Sequence, residues 1–350
     1  MTTISGNGLQ LDDSQFHALR VADVRRETTD TVSLVLDIPP ALKAAFAYRA
    51  GQYVTVRADV GGQTLVRCYS MSSAPETDAD LRITVRKVPG GAVSPWLVDD
   101  VKPGDIVPVI APAGRFCLRD GERPLVLIGG GSGITPLLSL AKAALTGGRQ
   151  VTLVYANRDR DNVIFADELD ALGSDRFTPI HWIDAERGLI DGAGLAALGV
   201  LDAGADFYIC GPDGLMDIAQ AAALGAGADP DHVFLERFVS GPAAEPEDVA
   251  TPDAAAGEGC QTLTFQWRGR TVEAAYVEGY PILAIARDAG LAIPFSCLAG
   301  ACATCMGRLK SGTAIMEANS VLTPREVEQG YILTCQAIPT SRHVTVEFDD

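Results

Sequence analysis

Four cysteines near the C-terminus carry the spacing most suggestive of metal chemistry. In FSCLAGACATC, Cys297 and Cys302 enclose four residues, Cys302 and Cys305 enclose two, and Cys335 follows thirty positions later in YILTCQA. Three thiolates from one loop and a solitary fourth are the arrangement in which four sulfurs hold two irons as a [2Fe–2S] cluster. Such convergence brings backbone N–H groups up to the sulfurs and demands small residues, which Ala299, Gly300, Ala301 and Ala303 supply. A tetrahedral zinc site or buried free thiols are the competing readings, but zinc sites usually pair two short-gap knuckles, and this loop holds three cysteines together.

Three further strings have chemical capacity. Gly131, Gly133, Thr135 and Pro136 in IGGGSGITP lie between an apolar run and a helical stretch, the setting in which a glycine turn cradles a phosphate. The register is not the usual G-x-G-x-x-G, so a structural turn is the plain alternative. Cys210, Gly211 and Pro212 close FYICGP, and ligands of open α/β sheets bind at such C-terminal strand ends. A buried cysteine before a turn is the bland reading there. Arg67, Cys68, Tyr69 and Ser70 offer a guanidinium that matches phosphate, a ring that stacks and a hydroxyl that hydrogen-bonds, although four residues alone also suit an ordinary barrel strand.

The elements that must position these residues follow from pattern. Residues 14–120 read as an antiparallel β-barrel, with VSLVLDI, QYVTVRA, LRITVRKV and DIVPVIAP as short strands between Gly, Pro and Asp. Residues 121–240 alternate strand-like and helical runs, implying a doubly wound, parallel α/β nucleotide domain. Residues 241–259, GPAAEPEDVATPDAAAGEG, lack apolar period and read as an exposed linker. Residues 260–350 form a further unit, with strands at LTFQWRGRTVEAAYVE, a helix over 281–289 and closing strands at YILTCQA and HVTVEF.

At 350 residues the chain is long enough for two or three domains, and its net charge of -17 argues against a nucleic-acid partner, which needs clustered Lys and Arg. No basic region followed by an apolar stretch opens the chain, and the most apolar run, 125–145, is broken by glycines, Pro136 and Lys142. The expectation is a cytoplasmic protein with no membrane partner, in which cysteines serve metal or catalysis. The histidines, His17, His181, His232 and His343, show no ligand spacing.

RCYS, GSGITP, ANRD, CGP, LERF, CATC and YILTCQA together resemble the ferredoxin-NADP reductase superfamily fused to a C-terminal plant-type [2Fe–2S] domain of β-grasp, α+β fold. The nearest families are the reductase subunit of phenylacetyl-coenzyme A epoxidase and the reductase component of 3-ketosteroid 9α-hydroxylase. The resemblance implies FAD on Arg67, Cys68, Tyr69 and Ser70 and on the segment running from Val85 and Lys87 to Gly91 and Ser94. It implies NADH or NADPH on Gly131, Gly133, Thr135, Pro136, Arg158, Gly211 and Pro212. Ser70, Cys210 and Phe238 fall at the reacting centre, with Glu236 beside them, and Cys297, Cys302, Cys305 and Cys335 are the metal ligands. Asn157, Arg158 and Arg160 fall where relatives meet the adenosine ribose. An Arg there favours NADPH and the neighbouring Asp159 and Asp161 oppose it. The loop departs from its relatives at Leu298 and Ala303, where Arg and Gly are common.

Electron counting completes the expectation. Nicotinamide gives two electrons as hydride and a [2Fe–2S] cluster takes one, so a flavin must stand between them. The implied activity is an NAD(P)H-dependent reductase that serves a separate oxygenase. The alternatives are a reductase for another redox metalloprotein and a non-catalytic electron carrier.

Overall fold

The computed structural model describes residues 16–173, 175–238, 247–250, 260–295, 298, 300, 302–319 and 321–348. They fall into two compact units that part after Phe238.

The first unit opens with β1 (His17–Thr28), β2 (Thr31–Asp37), β3 (Tyr53–Val60), β4 (Gln63–Ser70), β5 (Leu81–Arg86), α1 (Val93–Asp99) and β6 (Ile106–Ala113). The six strands form one antiparallel sheet in the order β4-β3-β6-β1-β2-β5, and a bridge between Met71 and Ile83 brings its two ends together as a barrel. Alternation explains the closure: Val54, Val56, Ile83, Val85, Val107 and Val109 all bury β-branched side chains in one core. RCYS lies on β4 at the end of the sheet order, so one margin of that strand lacks a full ladder partner.

The parallel sheet follows: β7 (Leu125–Gly130), α2 (Ile134–Thr146), β8 (Val151–Asn157), α3 (Ala166–Ala171), β9 (Phe177–Ile183), α4 (Asp184–Arg187), α5 (Gly192–Ala197), β10 (Asp206–Cys210), α6 (Asp213–Gly225) and β11 (Val233–Glu236). Its order is β11-β10-β7-β8-β9, every neighbouring pair parallel. The apolar run 125–145 is a strand, a glycine turn and a helix. Lys142, the charge that interrupts it, is buried and binds Asp78 at 3.0 Å and Glu168 at 2.5 Å, while Arg82 of the barrel binds Glu168 at 2.9 Å. Burial opposes the shift, yet Arg82 and Lys142 hold the Glu168 carboxyl below its usual range. Ser139 of α2 donates to the Ser73 carbonyl at 2.6 Å and accepts from the Gly51 amide at 3.2 Å. The barrel and the parallel sheet are thus joined by buried charge pairs, and such pairs are costly to break singly.

The second unit contains β12 (Glu247–Ala250), β13 (Thr262–Trp267), β14 (Arg270–Ala275), α7 (Ile282–Asp288), β15 (Met306–Ser311), β16 (Thr313–Met316), α8 (Pro324–Glu328), β17 (Tyr331–Leu333), β18 (Ala337–Pro339) and β19 (His343–Glu347). A mixed sheet, β14-β13-β19-β15-β17, has β13 parallel to β19, and Ile282, Leu283, Ile285 and Ala286 of α7 are buried in its core. Arg268 and Gly269 take φ values of 48° and 71°, the two left-handed residues a tight hairpin requires. A second sheet, β12-β16-β18, takes in part of the stretch 241–259, read as an exposed linker: a strand within it pairs antiparallel to β16 from Glu247↔Met316 to Ala250↔Thr313. Backbone pairing on a sheet edge needs no apolar period, which is why the pattern concealed it.

Candidate functional site

The carboxyl ends of β10 and β11 place Cys210 and Glu236 in register as neighbours. Ser70, at the end of β4, donates from Oγ to Glu236 Oε2 at 3.0 Å. Three residues from strands far apart in sequence therefore meet where the barrel faces the nucleotide sheet. Burial pushes the Glu236 carboxyl up to about 8, against the opposing pull of the Ser70 hydrogen bond. Burial likewise pushes the Cys210 thiol well above its usual range, and Glu236 adds to it. A neutral thiol and a carboxyl that exchanges its proton near neutrality suit hydride and proton handling.

The walls of this site are braced. Arg237 binds Asp213 at 2.8 Å and Asp217 at 2.6 Å, both in the first half of α6, and so ties the segment after β11 to the turn after β10. Phe238, next in sequence, packs half-buried against the core of the parallel sheet. Gly211 and Gly133 are small because the backbones touch: a Cβ at Gly133 would stand 2.1 Å from the Cys210 carbonyl oxygen, and one at Gly211 would stand 2.8 Å from the Gly130 nitrogen. Gly131 needs its φ of 51°, and Thr135 Oγ1 donates to the Ser132 carbonyl at 3.1 Å to start α2, in which Pro136 is buried. Gly133→Ala is expected to push α2 away from β10, lowering stability by about 1–3 kcal/mol and weakening nucleotide binding, both measurable by thermal unfolding with and without NADH.

Several expected flavin contacts are placed differently from one another. The Arg67 side chain is exposed on β4 and donates to the Val66 carbonyl at 2.7 Å, leaving it at the open margin. Tyr69 is half-buried against the barrel core, and burial raises its phenol pKa. Cys68 Sγ lies 3.4 Å from Thr55 Oγ1 across the β3–β4 ladder. Ser94 accepts from the Val88 amide at 3.0 Å, and Gly91 closes the same turn on the Val88 carbonyl at 3.0 Å. Val85 is buried in the barrel core, and the Lys87 ammonium pairs with Asp99. The residue between them, Arg86, is the one that sequence reasoning missed. It donates to Asp30 at 2.9 Å and Asn162 at 3.1 Å, and its Nη1 stands 3.0 Å from where a Gly131 Cβ would be, over the glycine turn. Strand alternation was the available signal, since Val85 inward puts Arg86 outward.

At the carboxyl ends of β8 and β9, Arg158 is spent on Asp159 at 3.0 Å and Arg160 on Glu186 at 2.7 Å. Asp184, at the end of β9 and not singled out in the sequence, has an enclosed Oδ1 with no hydrogen-bond partner, and burial raises its pKa.

In the second unit the described thiols converge. Cys305 donates to Cys335, which raises the Cys305 thiol and lowers that of Cys335, and both feel Cys302. Thr304 Oγ1 donates to Cys302 Sγ at 3.3 Å, and the Gly300 amide donates to Cys335. Cys297 lies outside the described residues, as do Ala299 and Ala301. Among the described residues no set of three His, Cys, Asp or Glu side chains is arranged around a single metal ion. Leu298 and Ala303, the two departures in the loop, both take left-handed φ values of 53° and 52°, a conformation that glycine adopts more readily.

Residues 18–117 match the oxidoreductase FAD-binding domain, 127–221 the oxidoreductase NAD-binding domain and 265–340 the 2Fe-2S iron-sulfur cluster binding domain. The ferredoxin reductase component of 3-ketosteroid-9-alpha-monooxygenase from Mycolicibacterium smegmatis is 40% identical over 342 residues, 95% of this chain and 97% of that one. The chain belongs to the oxygenase reductase components. One of the subunits of the 1,2-phenylacetyl-CoA epoxidase from Escherichia coli is 31% identical over 95% of this chain and 98% of its own. Phthalate dioxygenase reductase, a modular structure for electron transfer from pyridine nucleotides to [2Fe-2S], superposes with a TM-score of 0.57 at 25% identity, over 96% of this chain and 99% of that one. This reductase component is therefore an NAD(P)H-dependent oxidoreductase with FAD and [2Fe–2S] domains, and it passes electrons to a terminal oxygenase.

The geometry suits all three groups. The glycine contacts leave a cradle that a Cβ would fill, the margin of β4 holds an exposed guanidinium beside a half-buried ring, and the described thiols come from the loop and the distant β17–β18 turn, as a two-iron cluster requires.

Proposed function

We propose that this reductase component draws its electrons from NADH in preference to NADPH, handles the proton of the transferred hydride through Ser70 and Glu236, and works in the cytoplasm with a separate oxygenase. The meeting of Ser70, Cys210 and Glu236 at the carboxyl ends of the nucleotide strands carries this reading. When bound, the flavin accepts two electrons together and releases them singly. The chain's residues do the rest. Arg67 faces the pyrophosphate and Tyr69 the ring, while the Gly91–Ser94 turn closes over the phosphates. Gly131, Gly133, Thr135 and Pro136 form the nucleotide turn, with Arg86 above it. Gly211 and Pro212 border the nicotinamide beside Cys210, and Phe238 covers the reacting face until nicotinamide displaces it. Cys297, Cys302, Cys305 and Cys335 hold the irons.

The hydride brings a proton that cannot follow the electrons to the cluster. Ser70, already donating to Glu236, would take up that proton and pass it to Glu236, whose pKa of about 8 would let it release the proton again.

Carboxylates support the choice of NADH. The half-buried Asp184 carboxylate suits a ribose hydroxyl, whereas a 2′-phosphate would meet Asp184, Asp159 and Glu186 with Arg158 and Arg160 already paired. An anaerobic absorbance titration with each nucleotide tests this: NADH bleaches the flavin at the lower concentration. Asp184→Ala is expected to lower kcat/KM for NADH about 10-fold, the worth of one hydrogen bond to a charged group, and to narrow its lead over NADPH. Equal use of both nucleotides by the unaltered protein would refute the preference.

The two curated relatives belong to a 3-ketosteroid monooxygenase and a phenylacetyl-CoA epoxidase, whose substrates share no shape. We take the substrate to be selected by the oxygenase partner and not by this chain.

A further inference from the structure

The turn between β17 and β18 that delivers Cys335 also carries a neighbour that grips the other end of the cysteine loop. Gln336 donates from Nε2 to the Leu298 carbonyl at 2.8 Å, reaching across 38 positions of sequence to the residue that follows Cys297. Leu298 is held in the left-handed region at a φ of 53° without being glycine, so its conformation needs an external restraint. Gly300, two residues on, is packed so tightly that an added Cβ would stand 2.4 Å from the Ala318 carbonyl oxygen and 3.2 Å from Gln336 Cγ. The backbone of Gln336 is itself fixed, its amide donating to the Leu333 carbonyl at 2.8 Å and its carbonyl accepting from the Glu317 amide at 3.0 Å. On the other side of Cys335, Thr334 donates from Oγ1 to the Cys305 carbonyl at 2.6 Å.

We propose that Gln336 is a positioning residue for the iron–sulfur cluster, setting the first arm of the ligand loop at the distance the fourth thiolate requires. This rests on the assignment of the four cysteines as ligands. The reason is mechanical. Three ligands share one loop, but the fourth comes from the separate turn between β17 and β18, and nothing in the loop alone fixes the separation between the two. Thr334 fixes it at the Cys305 end, and Gln336 fixes it at the Leu298 end. Hydrogen-bond partners of this kind, outside the ligands themselves, orient the ligands and help to retain the metal.

The test uses the full chain, reconstituted anaerobically, with Gln336→Met, which keeps length and neutrality and removes the amide's hydrogen-bonding groups, and Gln336→Ala. Loss of the cluster's visible absorbance into excess chelator is expected to run roughly 10-fold faster in both variants. The electron paramagnetic resonance spectrum of the reduced cluster should broaden, reporting a loop with more than one arrangement. NADH-dependent ferricyanide reduction at the flavin should not change. Unaltered release rate and spectrum in Gln336→Met would overturn the proposal, as would equal broadening with unaltered release in Gln336→Ala alone. If the unsubstituted chain takes up no cluster, the ligand assignment itself fails, and that result is distinct from any difference between variants.

Discussion

Glu236→Gln is expected to slow NADH-driven reduction of a one-electron acceptor by about 100-fold, the lower end of what a positioned acid–base group supplies. The substitution keeps size and the capacity to hydrogen-bond Ser70, but it removes the site that takes up the hydride's proton. The pH dependence gives the decisive sign. The raised carboxyl pKa, about 8, means the accepting form of Glu236 grows as pH rises through that value, so the rate of the unsubstituted protein climbs across pH 8 and then levels. The Gln variant should show a flat profile over the same range. Stability moves the opposite way. A carboxyl whose folded pKa is raised favours the fold fully below its ordinary range and loses that contribution as pH rises through 8, so the cofactor-free Gln variant should unfold at a higher temperature than the parent above pH 8. A parent-like climb in rate in the Gln variant would exclude Glu236 as the proton acceptor.

Cys335→Ala divides the molecule functionally. The substitution removes the one ligand supplied from outside the loop, and transfer to an acceptor that takes electrons from the cluster should fall by more than about 100-fold, beyond the usual effect of outer-shell changes. Reduction of ferricyanide by NADH should persist, because the flavin and nucleotide residues lie in the other compact unit and make their hydrogen bonds there. Absorbance and electron paramagnetic resonance of the purified variant would show flavin without cluster. A full cluster signal in Cys335→Ala would remove Cys335 from the ligand set.

Much of this was readable from local pattern. A barrel strand announces itself by alternation, as in VSLVLDI over β2, and a buried parallel strand by an unbroken apolar run, as in LVLI over β7. Turn glycines such as Gly131 mark positions where side chains cannot go. Cysteine spacing is local as well, since a loop that must wrap two irons has few permissible lengths. Even so, pattern did not show the strand at Glu247–Ala250, where pairing depends on a strand edge elsewhere.

What the sequence determined by itself was therefore the order of domains and the class of cofactors, because each is written in runs shorter than a single element. The tertiary structure alone decided which of those residues meet. Ser70 and Glu236 are 166 positions apart, Arg82 and Glu168 are 86 apart, and Gln336 reaches Leu298 across 38 positions from the β17–β18 turn. Their partnerships come from sheet order, barrel closure and burial. Burial is also what raises Glu236 into the working range, since the cost of desolvating a charge belongs to the folded surroundings and to no residue type.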